Sequence, residues 1–269
     1  MSYKIIVLDL DGTLLNSKKE ITPATKEALI DIQKAGKKVV LASGRSEHGV
    51  ISYAEELELD KYGSYVLSYN GARIRQCASD ELNYNLTIPN GIIQPIFDIV
   101  KEYPDVDLGI DTVDTYYYGI CQNPFNELES RLCDIPLVYM ENLPQAATFP
   151  INALLITGEP DTLVIIEERL KGIYGDQYGI FRSEPFYLRV MPPNVDKAQS
   201  LQRLLLQMGL TREKMICCGD GYNDKSMIEF AGLGVAMENA RAETKAAANF
   251  ITKSNEEEGI LYVIERFMK

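Results

Sequence analysis

Two carboxylates near the start of this chain have a spacing that suits chemistry. Asp9 and Asp11 follow a short apolar run, Ile5–Leu8, and Gly12 comes directly after them. In an extended backbone, side chains two residues apart point to the same side, so we expect both carboxylates to leave the end of one buried strand together. Carboxylates in such a place are costly unless a metal ion or a reaction uses them. The pair therefore indicates a shared cation, or a nucleophile next to an acid.

Two other interpretations of this segment have to be weighed. An Asp-x-Asp-Gly sequence also occurs where a strand simply passes into a polar turn, and for this segment alone that alternative stays open. A calcium-binding EF-hand loop requires glycine at its sixth position, whereas the sixth residue counted from Asp9 is Leu14. Glu20 does stand at the twelfth position, but the segment before Asp9 is typical of a strand and not of a helix. We therefore set the EF-hand aside.

Polar residues also follow two later predicted strands. Ser43 and Gly44 come after Lys38–Ala42, where a hydroxyl and a backbone amide at the start of a helix would favour an anion. An acidic cluster follows a later apolar run and consists of Asp220, Asn223 and Asp224. Oxygen ligands without His or Cys suit Mg²⁺, and Lys197 could add a positive charge for a phosphate group. The joint occurrence of these groups predicts a site for a metal ion and a phosphate.

Apolar runs and helix-like segments alternate along the first and last parts of the chain. This order predicts the α/β fold class with a parallel, doubly wound sheet, whose functional groups lie at the carboxyl ends of the strands. The predicted strands are Ile5–Leu8, Lys38–Ala42, Tyr65–Ser68, Met215–Cys218 and Leu233–Met237. The predicted helices begin near Pro23, Glu47, Lys197, Lys225 and Ala240.

The sequence between residues 83 and 188 has a different character. It holds most of the tyrosines, among them Tyr116–Tyr118, and several prolines. Its predicted elements are helices at Gly91–Tyr103 and Asp161–Tyr174 and strands at Leu154–Ile156 and Tyr187–Met191. We interpret 83–188 as an inserted α+β domain, and 1–82 together with 189–269 as the core domain.

Composition limits the classes of function. The chain has 269 residues and a formal net charge of −12, which argues against a surface for nucleic acid or for an anionic membrane. Its first residues do not resemble a signal peptide, and no apolar stretch approaches the ~20 residues of a membrane-spanning helix. Five cysteines without zinc-binding spacing indicate reduced thiols in the cytoplasm, and the single histidine, His48, cannot form a zinc site alone. The expected chemistry is therefore that of carboxylates in a cytoplasmic protein.

The motifs resemble those of the haloacid dehalogenase superfamily, and more narrowly those of the Cof-type sugar-phosphate phosphatases. The segments that carry the resemblance are Asp9–Leu15, Ala42–Arg45, Lys197 and Gly219–Asp224, with further matches at Ser68–Ala72, Gly234–Ala240 and Thr252–Asn255. The insertion falls where that subgroup carries its C2-type cap domain. The fold implied by the resemblance is a Rossmann-like core with an α+β cap.

The resemblance implies a role for each motif residue. Asp9 would be the nucleophile that forms an aspartyl-phosphate, and Asp11 would protonate the leaving oxygen and then activate water. Mg²⁺ would be held by the Asp9 carboxylate, the Asp11 main-chain carbonyl and Asp220. Asp224 would complete the metal site from its outer shell or support Lys197. The groups expected to hold the phosphoryl oxygens are Ser43, the Gly44 amide, Lys197 and Asn223. The substrate would be a small phosphorylated metabolite, and sugar phosphates are the class that the subgroup favours.

These motifs do not fix the residues that select the substrate. The candidates for substrate binding are Arg45 and Asn70, with Tyr116–Tyr118 and Arg182 in the inserted domain. Tyrosines in such a domain serve packing more often than recognition. Two positions depart from the subgroup: Ala198 stands where Gly is usual, and Arg189 adds a positive charge where Glu is common.

Two other functions stay open for this sequence. A phosphomutase would use the same residues and return the phosphoryl group to a sugar. A receiver-type phosphoacceptor domain also combines strand-end Asp residues, Mg²⁺ and Lys, but it is shorter and needs neither a cap nor an acid two residues after the nucleophile. Asp11 favours a hydrolase, because the related ion-pumping ATPases carry Thr at that position and preserve their phosphoenzyme. No motif indicates an oligomeric state.

Overall fold

The computed structural model describes residues 2–79 and 82–269. These residues divide into two compact units, each with its own sheet and core. The first unit comprises the described residues of Met1–Gly44, Val50–Tyr84 and Asp196–Lys269, and the second comprises Arg45–Gly49 and Asn85–Val195. The predicted boundary at 83 lies close to Asn85, whereas the one at 188 falls inside the unbroken strand Tyr187–Met191 of the second unit. Arg45–Gly49 also belongs to the second unit, although it was predicted within the core domain.

Strands and helices alternate along most of the chain. The strands are β1 (Ile5–Leu8), β2 (Lys38–Ala42), β3 (Tyr65–Ser68), β4 (Arg73–Gln76), β5 (Leu82–Asn85), β6 (Asp107–Asp111), β7 (Tyr116–Tyr118), β8 (Leu137–Tyr139), β9 (Leu154–Thr157), β10 (Gly179–Glu184), β11 (Tyr187–Met191), β12 (Met215–Gly219), β13 (Leu233–Ala236) and β14 (Phe250–Ile251). The α-helices are α1 (Pro23–Lys34), α2 (His48–Glu56), α3 (Ile93–Val100), α4 (Pro124–Cys133), α5 (Leu143–Ala146), α6 (Pro160–Tyr174), α7 (Lys197–Met208), α8 (Lys225–Phe230), α9 (Ala242–Ala247) and α10 (Gly259–Phe267). None of the helices in the described part of the chain combines the length and the apolar character that crossing a bilayer requires.

The first unit is built on an eight-stranded sheet with the strand order β14-β13-β12-β1-β2-β3-β4-β5. The strands from β14 to β3 are parallel, and β4 runs antiparallel to β3. β1 lies between β12 and β2, so Leu8 has Cys218 on one side and Leu41 on the other. The predicted α/β fold is confirmed, and the carboxyl ends of β1, β2 and β12 lie at one edge of this sheet.

Both faces of the first sheet are buried, which explains the unbroken apolar run of β1. Ile6 and Leu8 belong to the hydrophobic cluster on one face, whereas Ile5 and Val7 belong to the cluster on the other. A strand covered on both faces has no solvent side and therefore shows no alternation of polar and apolar residues. Asp9 therefore follows directly after a strand that is buried on both faces.

The second unit contains a six-stranded sheet with the order β10-β11-β9-β6-β7-β8. Its pairs are antiparallel except for β7 with β8. Alternate residues of its strands, such as Leu108, Leu154 and Leu188, form a core with residues of α3 and α6, such as Ile96 and Ile166. The inserted region is therefore α+β, as predicted.

The start of α7 is fixed by its capping residue. Asp196 has an extended backbone, and its side chain accepts a hydrogen bond of 2.9 Å from the backbone N–H of Gln199. Leu201 and Leu204 are fully buried in the cluster that also contains residues of β1. Cap and packing together place Lys197 in the first turn of this helix.

Candidate active site

The backbone turns tightly where β1 ends. The N–H of Asp9 still continues the ladder to the carbonyl of Cys218 (3.1 Å), but the N–H groups of Leu14 and Leu15 then donate back to Asp9 and Leu10 (3.2 and 2.9 Å). Leu10 and Leu15 are fully buried, and Leu14 nearly so. The apolar side chains of this turn thus anchor it in the core while its carboxylates lie at the edge of the sheet.

Lys197 is the central charge of the site. Its side chain is fully buried, and Nζ donates to Asp9 Oδ1 (2.6 Å), Asp224 Oδ1 (2.6 Å) and the carbonyl of Ala42 (2.7 Å). Burial alone would lower the pKa of Lys197, but the adjacent Asp224 and Asp9 carboxylates raise it overall. The ammonium is therefore charged, and all three of its N–H groups are used.

Asp9 and Asp224, which contact this ammonium, form a cluster with a third carboxylate, Asp220. Oxygen atoms of Asp9, Asp220 and Asp224 all lie within 4.8 Å of one another. When all three carboxylates are ionised, one ammonium leaves two negative charges, which a divalent cation would neutralise. Oxygen donors of this kind are those that Mg²⁺ prefers. One oxygen each of Asp9 and Asp220 accepts no hydrogen bond from the described residues, so the donor set fits a metal ion.

Asp224 has a different position from the other two carboxylates. It is fully buried, and its second oxygen, Oδ2, accepts hydrogen bonds from the N–H groups of Asp220 (3.0 Å) and Gly221 (2.9 Å). With Lys197 on Oδ1, both of its oxygens are engaged. Asp224 therefore shapes the loop that carries Asp220 and orients the lysine, whereas Asp9 and Asp220 offer oxygens toward a cation.

Burial raises the pKa of two of these carboxyls. The pKa of Asp9 lies well above its usual range because the side chain is buried; the charge of Asp224 raises it further, and Lys197 opposes the shift. Burial, followed by the charge of Asp224, raises the pKa of Asp220 to about 7. Carboxyls that ionise with difficulty in a buried acidic cluster are typical of a functional site.

A second group of predicted residues surrounds Asn70. Its backbone N–H donates to the carbonyl of Ser43 (2.9 Å), and its side-chain oxygen accepts from Asn223 Nδ2 (3.0 Å). A Cβ on Gly44 would lie 3.3 Å from Asn70 Nδ2, so the side-chain amide of Asn70 lies against that glycine. Ser43, Gly44, Asn70 and Asn223 therefore form one contiguous polar group, in which Ser43 and Asn70 are buried, and Ala42 joins it to Lys197.

The backbone at Asn70 has an uncommon conformation. Tyr69, Asn70 and Gly71 have φ values of 50°, 52° and 95°, all in the left-handed region. Non-glycine residues with such angles are uncommon, and they concentrate at functional sites, where the surroundings hold them in place. The arrangement turns the side chain of Asn70 toward Asn223.

One detail of the sequence prediction is wrong. Ser43 and Gly44 were expected at the start of a helix, but α2 begins only at His48. The intervening residues form an irregular loop, which keeps its polar Ser43–Gly44 end in the first unit, whereas Arg45–Gly49 belongs to the second. A helix dipole therefore does not act on the Gly44 amide.

Asp11 and Asp9 lie in different surroundings. The Asp11 side chain is 38 % exposed, and its Oδ1 accepts a hydrogen bond of 2.6 Å from Lys19 Nζ. Lys19 was not predicted to belong to the site, and nothing in its sequence position indicates it. Thr13 was also missed, although it stands inside a predicted motif: its hydroxyl donates to Asp220 Oδ1 (3.0 Å).

The substrate-binding candidates of the second unit have partners within that unit. Arg45 is buried, and its guanidinium donates to the carbonyls of Gly49 and Leu132, each at 3.2 Å. Arg182 forms an ion pair with Glu167 (2.7 Å). The three tyrosines divide, since Tyr116 is fully buried while Tyr117 and Tyr118 contact other aromatic rings. Packing accounts for Tyr116, whereas Tyr117 and Tyr118 are half-buried.

The unusual Arg189 faces the interior of the second unit. It is 3 % exposed, and its guanidinium pairs with Glu129 (3.2 Å) and donates to the Ser183 hydroxyl (3.1 Å). Its added charge is therefore balanced by a buried carboxylate of α4 and does not reach solvent.

Comparison with known proteins gives consistent matches over nearly the whole chain. A family model described as haloacid dehalogenase-like hydrolase matches residues 6–264. The "Putative phosphatase YxeH" of Bacillus subtilis is 31 % identical, with 99 % of this chain and 98 % of that protein covered. The 5-amino-6-(5-phospho-D-ribitylamino)uracil phosphatase YitU of the same organism is 26 % identical, with coverages of 98 % and 96 %. A crystal structure of a haloacid dehalogenase-like hydrolase from Bacteroides thetaiotaomicron is 39 % identical, with a TM-score of 0.93 and coverages of 98 % and 99 %.

Two glycines with the same backbone conformation test how closely the acidic cluster is packed. Gly12 and Gly36 have φ values of +78° and +81°, but a Cβ on Gly12 would lie 2.4 Å from Asp220 Oδ2, whereas one on Gly36 would meet nothing within 4 Å. Both Gly12→Ala and Gly36→Ala should lower the free energy of unfolding by about 1–2 kcal/mol in urea titrations. Only Gly12→Ala should weaken Mg²⁺ binding, by about 10- to 100-fold in calorimetric titration, because it displaces Asp220. Equal Mg²⁺ affinity in the two variants would contradict the geometry.

The raised carboxyl pKa values predict a pH-dependent metal affinity. A cation binds the ionised form of Asp220, whose pKa of about 7 means that protons compete below neutral pH. Protonation of Asp220 alone should therefore lower the Mg²⁺ affinity about tenfold for each pH unit below about 7, and protonation of Asp9, whose pKa is also raised, should make the fall steeper. Calorimetric titration over this range measures the affinity, and buffers of different ionisation enthalpy count the protons released. A constant affinity without proton release would rule out competition at this carboxyl.

Proposed function

The chain belongs to the haloacid dehalogenase-like hydrolase family, and from this premise we propose that it is a Mg²⁺-dependent phosphatase of small phosphorylated metabolites. The superfamily and the enzyme class, a phosphatase, that the motifs predict are confirmed. Sugar phosphates are the proposed substrate class, and an aspartyl-phosphate on Asp9 is the proposed intermediate. The observation that carries the proposal is the buried ammonium of Lys197 between Asp9 and Asp224, next to carboxylate oxygens that suit a divalent cation.

Charge decides how the first step proceeds. A carboxylate that approaches a phosphate dianion is repelled, so attack requires positive charge near both groups. Lys197 supplies one such charge and also holds the Asp9 carboxylate in place through its 2.6 Å contact. When bound, Mg²⁺ supplies Lewis-acid stabilisation of the phosphoryl oxygens. The groups that would hold the ion are the carboxylates of Asp9 and Asp220 and the main-chain carbonyl of Asp11.

Asp9 and Asp11 divide the reaction into two steps. An oxygen of Asp9 attacks phosphorus, the bond from phosphorus to the leaving oxygen breaks, and Asp11 gives that oxygen a proton. Water then attacks the phosphorus of the aspartyl-phosphate while Asp11 accepts a proton, which releases inorganic phosphate and restores Asp9. Two displacements replace one difficult transfer. The partly exposed position of Asp11 suits a group that must exchange protons with the leaving group and with water.

The polar group around Asn70 is the proposed cradle for the phosphoryl oxygens. Ser43 supplies a hydroxyl, Gly44 an amide and Asn223 a side-chain amide, which Asn70 orients through the 3.0 Å hydrogen bond between their side chains. Lys197 acts mainly through its charge, because its three N–H groups already have partners.

The substrate class is inferred from two lines of support. The motifs resemble those of sugar-phosphate phosphatases, and the relative YitU is named for a phospho-D-ribitylamino compound. In the second unit, Arg45 and Arg182 are the proposed candidates for contact with the remainder of the substrate.

A panel of sugar phosphates tests the proposal directly. The protein should release inorganic phosphate from members of the panel with Mg²⁺ present and not with the metal chelated. A phosphomutase would instead give isomerised sugar phosphate with little free phosphate. A stable phosphoenzyme after acetyl phosphate treatment, without turnover, would favour a phosphoacceptor domain.

The nucleophile assignment predicts a large effect of one isosteric change. Asp9→Asn replaces the attacking oxygen by an amide, and turnover should fall by about three orders of magnitude or more. Phosphate release is the measurement, and the circular dichroism spectrum should match that of the wild type. Asp31→Asn makes the same change at a surface position of α1 and should keep full activity. Near-native turnover in Asp9→Asn would show that Asp9 is not the nucleophile.

The acid role of Asp11 predicts a loss that depends on the leaving group. Asp11→Ala should slow the first turnover of sugar phosphates by about 10²- to 10⁴-fold, because an alkoxide cannot leave without a proton. The first-turnover burst from 4-nitrophenyl phosphate should change much less, since nitrophenolate leaves unprotonated. Rapid-mixing measurement of both substrates checks this, and equal losses would contradict the assignment.

A further inference from the structure

Two asparagines of the last part of the chain hold the segment that follows Asp11. We propose that Asn239 and Asn255 are positioning residues, which fix the backbone of Gly12–Leu15 so that the Asp11 carboxylate lies where proton transfer requires it. The proposal rests on the proposed function, since it concerns the acid–base step. Both asparagines stand in segments that resemble the family, but the roles assigned to the motifs do not include them.

The two asparagines contact the segment at both of its ends. Asn239 Nδ2 donates to the carbonyl of Gly12 (2.8 Å), and Asn255 Nδ2 donates to the carbonyl of Leu15 (2.9 Å). A third hydrogen bond joins them, from the backbone N–H of Asn255 to Asn239 Oδ1 (3.1 Å). The two side chains and this bond form one connected clamp across the segment.

The clamp acts on backbone that is coupled to Asp11. Gly12 is the next residue, and Leu15 forms an isolated parallel bridge with Asp11 itself. The Asp11 side chain is 38 % exposed, so packing alone does not hold it as it holds Asp9. The ion pair with Lys19 (2.6 Å) and the backbone that carries Asp11 together set the direction of its carboxylate, and the two asparagines hold that backbone at the carbonyls of Gly12 and Leu15.

Both asparagines stand on firmly held loops. Asn239 follows β13, and its loop is anchored by the buried Met237 and by the hydrogen bond from the N–H of Arg241 to the carbonyl of Asp220 (3.1 Å). Asn255 follows β14, next to Thr252, whose buried hydroxyl donates to the carbonyl of Gly259 (2.8 Å). The loop of Asn239 thus contacts both sides of the site, at Gly12 and at Asp220.

The clamp predicts a loss of activity that depends on the substrate. Asn239→Ala and Asn255→Ala should each lower the first-turnover rate for a sugar phosphate by about tenfold, because a misdirected acid protonates the leaving oxygen poorly. The burst from 4-nitrophenyl phosphate should change by no more than about twofold, since that leaving group needs no proton. KM should stay within about threefold of the wild-type value, because neither side chain lies in the phosphate cradle.

Two further variants separate positioning from stability. Asn249→Ala is the matched control: Asn249 is also exposed, and its Oδ1 accepts a hydrogen bond of 2.8 Å from the N–H of Gly234, at the start of β13. It should show wild-type rates with both substrates at a similar cost in melting temperature. Asn239→Asp keeps the oxygen that accepts from Asn255 but removes the N–H that donates to Gly12. Its first-turnover rate for the sugar phosphate, relative to that for 4-nitrophenyl phosphate, should fall as far as in Asn239→Ala.

The outcomes distinguish this inference from the proposed function. Rates that fall equally with both substrates, or that do not fall at all, overturn the clamp while the phosphatase stands. A wild-type protein that releases no phosphate from either substrate overturns the proposed function, and the clamp with it. The clamp is supported if the rate for the sugar phosphate alone falls in the Asn239 and Asn255 variants and does not fall in Asn249→Ala.

Discussion

The buried ammonium of Lys197 is the interaction on which the rest of the site depends. Without it, three carboxylates within 4.8 Å of one another would repel each other in surroundings with little water. With it, β1, β2 and the loop after β12 are joined, since Nζ contacts Asp9, Ala42 and Asp224. Asp224 in turn accepts hydrogen bonds from the backbone N–H groups of Asp220 and Gly221, which holds that loop in place. One charge thus organises three separate segments of the chain.

This charge network also explains the glycines of the motifs. A Cβ on Gly219 would lie 2.4 Å from the Cβ of Asp224, and one on Gly12 would lie equally close to Asp220 Oδ2. The backbone at Gly12 and Gly219 thus lies directly against the acidic cluster, with no room there for a side chain. The close approach gathers carboxylate oxygens of a kind that suits a hard divalent cation.

Strands that are buried apolar runs, and helices that follow a capping residue, could be predicted from the sequence. β1, β2, β3 and α7 match their predicted bounds, because each strand is an unbroken buried apolar run and the helix follows a capping residue. β4 was not predicted, since Arg73–Gln76 is mostly polar and becomes a strand only by pairing with β3. Propensity carries little information about a strand of this kind.

The same distinction applies to the site. Carboxylates bind cations and a lysine favours a phosphate group. The residues Asp9, Asp220 and Lys197 therefore indicated a metal and phosphate site from the sequence alone. The partner of Asn239 could not be foreseen, because a hydrogen bond between residues 227 positions apart depends on the completed fold. Arg189 is similar: its sequence position left open what it faces, and its partner Glu129 lies 60 residues away.

The position of β1 between β2 and β12 has a consequence for synthesis on the ribosome. β12 begins only at Met215, after all the strands of the second sheet have been made. A nascent chain can therefore complete that inserted sheet while β1 still has an unpaired edge. Contacts such as Lys197 with Asp9, 188 residues apart, form late, since distant segments meet slowly. A stalled chain that ends before Lys197 would carry a finished insert and an unfinished core, with no ammonium to gather its carboxylates.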